Sequence, residues 1–417
     1  MASFRFPVNW FGGAVFPTSA AEPGLDFLTM GARGPVFDID PDAFRADPYP
    51  VLRTLRADMP VAFVPQLGAW LITRRDDIFR EEKRIEVFSS DQPEGLMTRL
   101  MGQNMMRRDG DAHQAERRAI FPSVSPRTVR DVWTAAFADA TEAVLDRIEG
   151  RGRADLVRDY AMPVSAEALK AVTGLPNMDW QEMDRVSQGM IDGCANYAGH
   201  PETEARCHDC TASIDRHIDA MLAAGDGPEF GLVEVQRRAG LSGAQLRANV
   251  KLAISGGQNE PRDAIAGAAY ALLAHPDQRA LIAEGAATWR DAFEEYARWM
   301  SPIGMSPREL RAPCTLHGAD MQVGDRVFLM FGSGNRDERV FEAPDAFDMR
   351  QDCSKALSFG AGPHFCAGAA ISRVLIGDIA LPRLFARLPS LRLDGEVRFD
   401  GWAFRGPVSV PVRWEVG

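Results

Sequence analysis

Residues 359–368 read FGAGPHFCAG, a glycine-rich loop that delivers Cys366 to a helix beginning near Ala367. Glycines at 360, 362 and 368 permit positive φ angles and a close approach of backbone to a flat ligand. A cysteine just before a helix N-terminus receives backbone N–H groups and the positive end of the helix dipole, both of which favour the thiolate. A thiolate is what an iron ligand requires. Taken alone, a cysteine in such a turn is more often an inert buried thiol, so the rest of the chain has to decide.

Around this loop the pattern is mainly α with a small β portion. Apolar residues recur at spacings of three and four over 127–150, 163–173, 204–224, 242–275, 278–300 and 367–388, which predicts helices. Ser242 followed by Gln245 is a capping-box signal, and Asp47 before Pro48 predicts a short helix over 47–57 with Asp47 as N-cap. Strands are expected in PVAFVPQLGAWLITRR (60–75), in 316–331 and in the closing PVSVPVRWEV. Residues 1–36 read as an arm that packs on a single catalytic domain over 37–417.

The 417 residues carry a net charge of −11, which argues against general attraction to nucleic acid or anionic lipid. No basic start with an apolar run opens the chain and no stretch is long and apolar enough to span a membrane, so a soluble cytoplasmic protein is expected. Six scattered cysteines fit a reducing compartment. Cys207 and Cys210 form a lone C-x-x-C, a weak zinc signal that reads better as surface thiols.

The cysteine loop resembles the haem-binding signature of the cytochrome P450 enzymes, with Phe359, Gly360, Gly362, His364, Cys366 and Gly368 at its spacing. The resemblance runs from about residue 40 to the end. It implies a helical prism enclosing haem b, with Cys366 as axial ligand of the iron. It also implies propionate contacts from His364, from Arg308 after SPIGMSP, and from His113 and Arg117 in DAHQAERR, which are four apart and co-facial. Glu295 and Arg298 in EEYARW match the family's buried Glu-x-x-Arg pair, with Arg350 in FDMR as the third member. Where many bacterial members place a further His, this chain has Ala356; Lys355 is one substitute, and Arg308 with the helix around His113 the other.

In the helix expected over 242–275, the resemblance places the oxygen-activating motif at Gly256, Gly257, Gln258, Asn259 and Glu260, followed by Pro261. The usual acid and alcohol are missing, although a one-residue shift would put Glu260 at the acid. Pro261 removes an N–H and crowds the preceding turn, which predicts a kink or bulge over the iron. Glu260, or the amides of Gln258 and Asn259, then order a proton relay. The plainer reading of Glu260 is a solvent-facing or salt-bridged helix residue.

This altered motif and the ending GWAFRGPVSVPVRWEV are similar to bacterial P450s that O-demethylate guaiacol-type aromatic ethers. The implied activity is a dioxygen-dependent monooxygenase acting on a small, apolar, aromatic substrate. Its electrons would come from a ferredoxin or a flavin/iron–sulfur reductase, because few residues follow the cysteine loop; Arg107, Arg108, Arg117 and Arg118 are candidates for docking it. A peroxide-driven enzyme and a non-catalytic haem sensor are the alternatives. The expected pocket wall is Leu96, Met97, Leu100, Met101 and Met105 in a lid segment, with Ile303, Gly304, Met305, Trp402 and Phe404.

Overall fold

A computed structural model describes residues 33–196 and 199–416, so all but the last four residues of the expected N-terminal arm lie outside the described residues. Helices dominate and the strands are short. Strands β1 (Val61–Val64), β2 (Ala69–Ile72), β3 (Phe88–Ser89), β4 (Ser306–Leu310) and β5 (Arg326–Leu329) form one sheet in the order β1-β2-β5-β4-β3. The β1–β2 hairpin turns at Gly68, φ 58°, as expected for the 60–75 segment. In β4, Arg308 is paired across to Val327, which carries that guanidinium into the interior.

Seven helices matter for the site: α1 (Leu96–Met101), α2 (Gly110–Val124), α3 (Met162–Thr173), α4 (Trp180–Cys194), α5 (Pro201–Ala224), α6 (Gly243–Ala274) and α7 (Trp289–Met300). The capping box of Ser242 and Gln245 starts α6, whose 32 residues span roughly 48 Å at the standard helical rise. It runs through the middle of the fold against α3, α4 and α7, so its apolar residues occupy several faces. No helix among the described residues is long and apolar enough to cross a membrane.

Several local expectations are corrected. The 278–300 segment is two helices, broken where Gly285 takes φ 72°, a conformation that ends a helix. The first predicted helix starts one residue late: Pro48 is the N-cap of Tyr49–Asp58, while the Asp47 carboxylate accepts from Tyr49 N–H at 3.1 Å. Most informative is Pro261, because α6 continues through it with no widened turn. Pro261 leaves the Gly257 carbonyl without its helical donor, and Ser165 Oγ of α3 reaches that carbonyl at 3.4 Å and the adjoining Gln258 carbonyl at 2.8 Å. A neighbouring hydroxyl thus replaces the N–H that proline lacks, and the helix has no need to open.

Helix α4 has no counterpart among the predicted segments, since Gly189 and Gly193 interrupt its apolar stripe. These glycines are seats for the C-x-x-C pair. Cys210 and Cys207 of α5 are buried thiols, not surface ones, and a Cβ built on Gly193 would lie 2.6 Å from Cys207 Sγ. No metal-binding cluster of three or more suitable side chains occurs among the described residues. Gly193→Ala is therefore expected to cost about 1–3 kcal/mol by overpacking. In chemical denaturation, Cys207→Ala should relieve most of that cost; an additive double mutant would refute the contact.

Candidate active site

Cys366 is shaped by its own loop. Its N–H donates to Phe359 O at 2.9 Å, and Gly360 and Gly362 adopt φ 69° and 62° to fold the chain back. The helix then begins at Ala369 with Gly368 as N-cap, two residues later than expected. Burial pushes the Cys366 thiol upward, against which the Gly368 N–H and the cations Arg117 and Arg373 pull downward. The cysteine is exposed by surface area yet strongly desolvated. Both hold if its sulfur lines an enclosed hollow, since desolvation counts the protein around it and not only its own accessible area. Phe359 supports the loop from behind, with its ring packed near Phe293 and the Arg373 guanidinium 4.7 Å over its centre.

The Glu295–Arg298 pair is fully buried on α7, with contacts of 2.6 and 2.7 Å. Arg298 also donates to the carbonyls of Asn335, Pro344 and Ala346. Arg350 does not join this network, because it is exposed and pairs with Asp348 at 3.4 Å. The remaining contacts to Glu295 are Asp348 N–H at 2.8 Å and the Cys353 thiol at 3.3 Å.

One edge of the site gathers the residues expected at propionates, with two acids that sequence reasoning missed. Arg308 is buried and donates through Nη2 to Glu82 Oε1 at 3.1 Å, while its Nε has no partner. His364 Nε2 lies 2.8 Å from Asp109 Oδ1. Burial and neighbouring Arg308 and His113 lower His364 to about 4 despite that carboxylate. Asp109 drops to about 2, where hydrogen bonds from His364, Ser89 and Ser90 outweigh its desolvation. The His113 ring packs on that of His364, centroids 4.1 Å apart, and its nitrogens face Met105 O and Pro363 O. Arg117 is half-buried and electrostatically coupled to Cys366, on the thiolate side. Asp109 follows no motif, and no sequence signal distinguishes Glu82 from the acids beside it.

On α6 the helical period separates the motif. Gly256 is exposed mid-helix, and a Cβ there would meet nothing within 4 Å. Glu260, one turn on, shares that face. Its carboxyl is coupled to Cys366, its Oε2 is buried without a partner, and burial raises it to about 7. The residue is partly exposed, but this oxygen has no partner and the carboxyl is strongly desolvated. Gly257 instead faces Leu169 of α3, Gln258 donates to Met162 O and Asp184, and Asn259 donates to Ser187 of α4. Those two amides point away from the face that Gly256 and Glu260 share.

The expected walls divide in the same way. Leu100 and Met101 are buried, Leu100 against Gly193 and Met101 3.5 Å from the Cys194 thiol, so they hold α1 on α4. Leu96 and Met97 are partly buried beside them, and Met105 packs on the main core. Ile303 and Phe404 pair in an isolated bridge, and Gly304 sits under the Trp402 carbonyl, where a Cβ would lie 1.9 Å from the oxygen. Trp402 turns its ring onto Phe44 and Phe328, backing the wall. Met305 is half-buried between them and the core.

These features fit a haem: a cysteine sulfur on one side, a side-chain-free helix face at Gly256 on the other, and an unpartnered buried Arg308 N–H at the edge. The family model described as Cytochrome P450 matches residues 290–384. Cytochrome P450 107B1 of Saccharopolyspora erythraea is 27% identical over 89% of this chain and 96% of its own length. Vitamin D(3) 25-hydroxylase of Pseudonocardia autotrophica is 28% identical over 90% of this chain and 96% of its own. Among solved structures, CalO2 superposes with a TM-score of 0.82 at 27% identity, covering 92% of this chain and all of that one. Epothilone D-bound cytochrome P450epoK gives 0.83 at 25% identity, covering 92% and 100%. With this site, the chain is similar over about nine-tenths of its length to cytochrome P450 enzymes, whose fold it shares.

Proposed function

We propose that this monooxygenase takes a small, neutral, chiefly apolar substrate, an aromatic methyl ether fitting best, and draws its electrons from a separate ferredoxin or flavin/iron–sulfur reductase. Hydroxylation at the methyl carbon of such an ether gives a hemiacetal that collapses to phenol and formaldehyde, so O-demethylation is hydroxylation at that carbon. Ile303, Met305, Phe404, Leu96 and Met97 carry no charge, and a charged substrate would lose its water there without a partner.

Bound haem supplies the dioxygen and one-electron chemistry. Cys366 would hold the iron and Arg308 a propionate. One oxygen atom enters the substrate and the other leaves as water, which consumes two electrons and two protons. The observation that carries this reading is Glu260 Oε2, unpartnered and on the Gly256 face. Because burial raises this carboxyl to about 7, it holds a proton below that pH and loses it above. Glu260→Gln has no proton to give. Product formation should fall by about 100-fold, and the decline of the native enzyme as pH rises through about 7 should vanish; an unchanged rate and pH profile would remove Glu260 from the relay.

Product assays across methoxybenzenes, alkylphenols, benzoates and terpenes test the substrate class. Formaldehyde is expected in step with phenol from methoxybenzenes, and its absence across that panel would overturn the reading. The carboxylate at Glu260 also favours a second reading, turnover driven by peroxide. Activity with peroxide alone, and none with ferredoxin, reductase and dioxygen, would establish it.

A further inference from the structure

We infer that Glu82 is a positioning residue that ties the cation at the haem edge to the loop carrying the iron ligand. Glu82 follows the short helix Arg75–Glu81 and is 2% exposed. Its two oxygens are divided. Oε1 accepts from Arg308 Nη2 at 3.1 Å, and Oε2 accepts from the Ala361 N–H inside the cysteine loop. The loop is folded around it: a Cβ at Gly360 would lie 3.4 Å from Oε2, and one at Gly362 3.1 Å from the Glu82 carbonyl. A buried carboxylate with both oxygens engaged fixes its two donors relative to each other. Burial raises this carboxyl to about 7 while Arg308 and the Ala361 N–H lower it, so it is charged at pH 8.

The anion shares Arg308 with whatever acid group the unpartnered Nε meets, which moderates the positive charge at that edge. It also pins the loop at Ala361, ahead of Cys366 in the chain, and hence steadies the approach to the iron ligand.

Glu82→Gln separates these effects, because an amide accepts at one oxygen only and carries no charge. In holoenzyme at pH 8, the midpoint potential of the ferric/ferrous couple should shift positive, since a negative charge near the site is lost. The shift should shrink at least twofold when measured in an Arg308→Gln background. No shift, or an equal shift in both backgrounds, would overturn action through Arg308. Glu82→Asp keeps the charge but is one methylene too short to span both donors, and it covers the case in which the amide variant loses haem. Its potential should stay near native, while the fraction of protein lacking the thiolate-type spectrum under carbon monoxide rises at least twofold. An unaltered fraction would refute the loop contact. These readouts do not depend on which substrate the enzyme takes.

Discussion

Cys366→Ser is expected to abolish the thiolate-type absorption of the reduced, carbon monoxide-treated protein while leaving helix content by circular dichroism unchanged. The sulfur is the only soft donor offered to the site by the cysteine loop, and the Gly368 N–H, Arg117 and Arg373 that favour its anionic form all act at that one atom. No other described cysteine can substitute. Cys207 and Cys210 are packed into the glycine seats of α4, Cys194 lies against Met101, Cys314 is buried in the core beside the sheet, and Cys353 donates to Glu295. A spectrum of thiolate type surviving in the serine variant would overturn the ligand assignment.

Arg298→Leu is expected to lower folding stability by about 3–5 kcal/mol, because it strands Glu295 as an uncompensated buried charge. The loss extends beyond the pair, since the carbonyls of Asn335, Pro344 and Ala346 each lose a donor from the same guanidinium. Lysine should not rescue it, having a point charge where five forked donors are used. Urea denaturation with haem content as a second readout checks this; a midpoint within error of the native protein would show that the network adds nothing to stability.

Much of the site was legible because its residues lie close along the chain. The cysteine loop, the Glu295–Arg298 turn and the Gly256–Glu260 turn each place their groups within one or two helical turns, where spacing translates into shared faces. Arg350 failed for the opposite reason. It lies far from the pair along the chain and was placed there by the resemblance alone, whereas the fold brings Asp348 N–H and the Cys353 thiol to Glu295 instead. Leu100 and Met101 were expected in the pocket wall from the lid position that the resemblance implies and from their apolar character, and a neighbouring glycine-bearing helix absorbed them.

From the sequence alone came the family resemblance, the cysteine proposed as iron ligand and the identity of the altered distal turn, because these reside in local patterns of residue type and spacing. Tertiary structure alone decided which members of that turn face the site, that Ser165 of a neighbouring helix bonds the carbonyls beside Pro261, and which acids stand beside Arg308 and His364. Those contacts join residues separated by 93, 226 and 255 positions. Nothing in a linear pattern marks such partners, since they are selected by where packed helices and loops meet and by the cost of leaving a buried polar group unpaired.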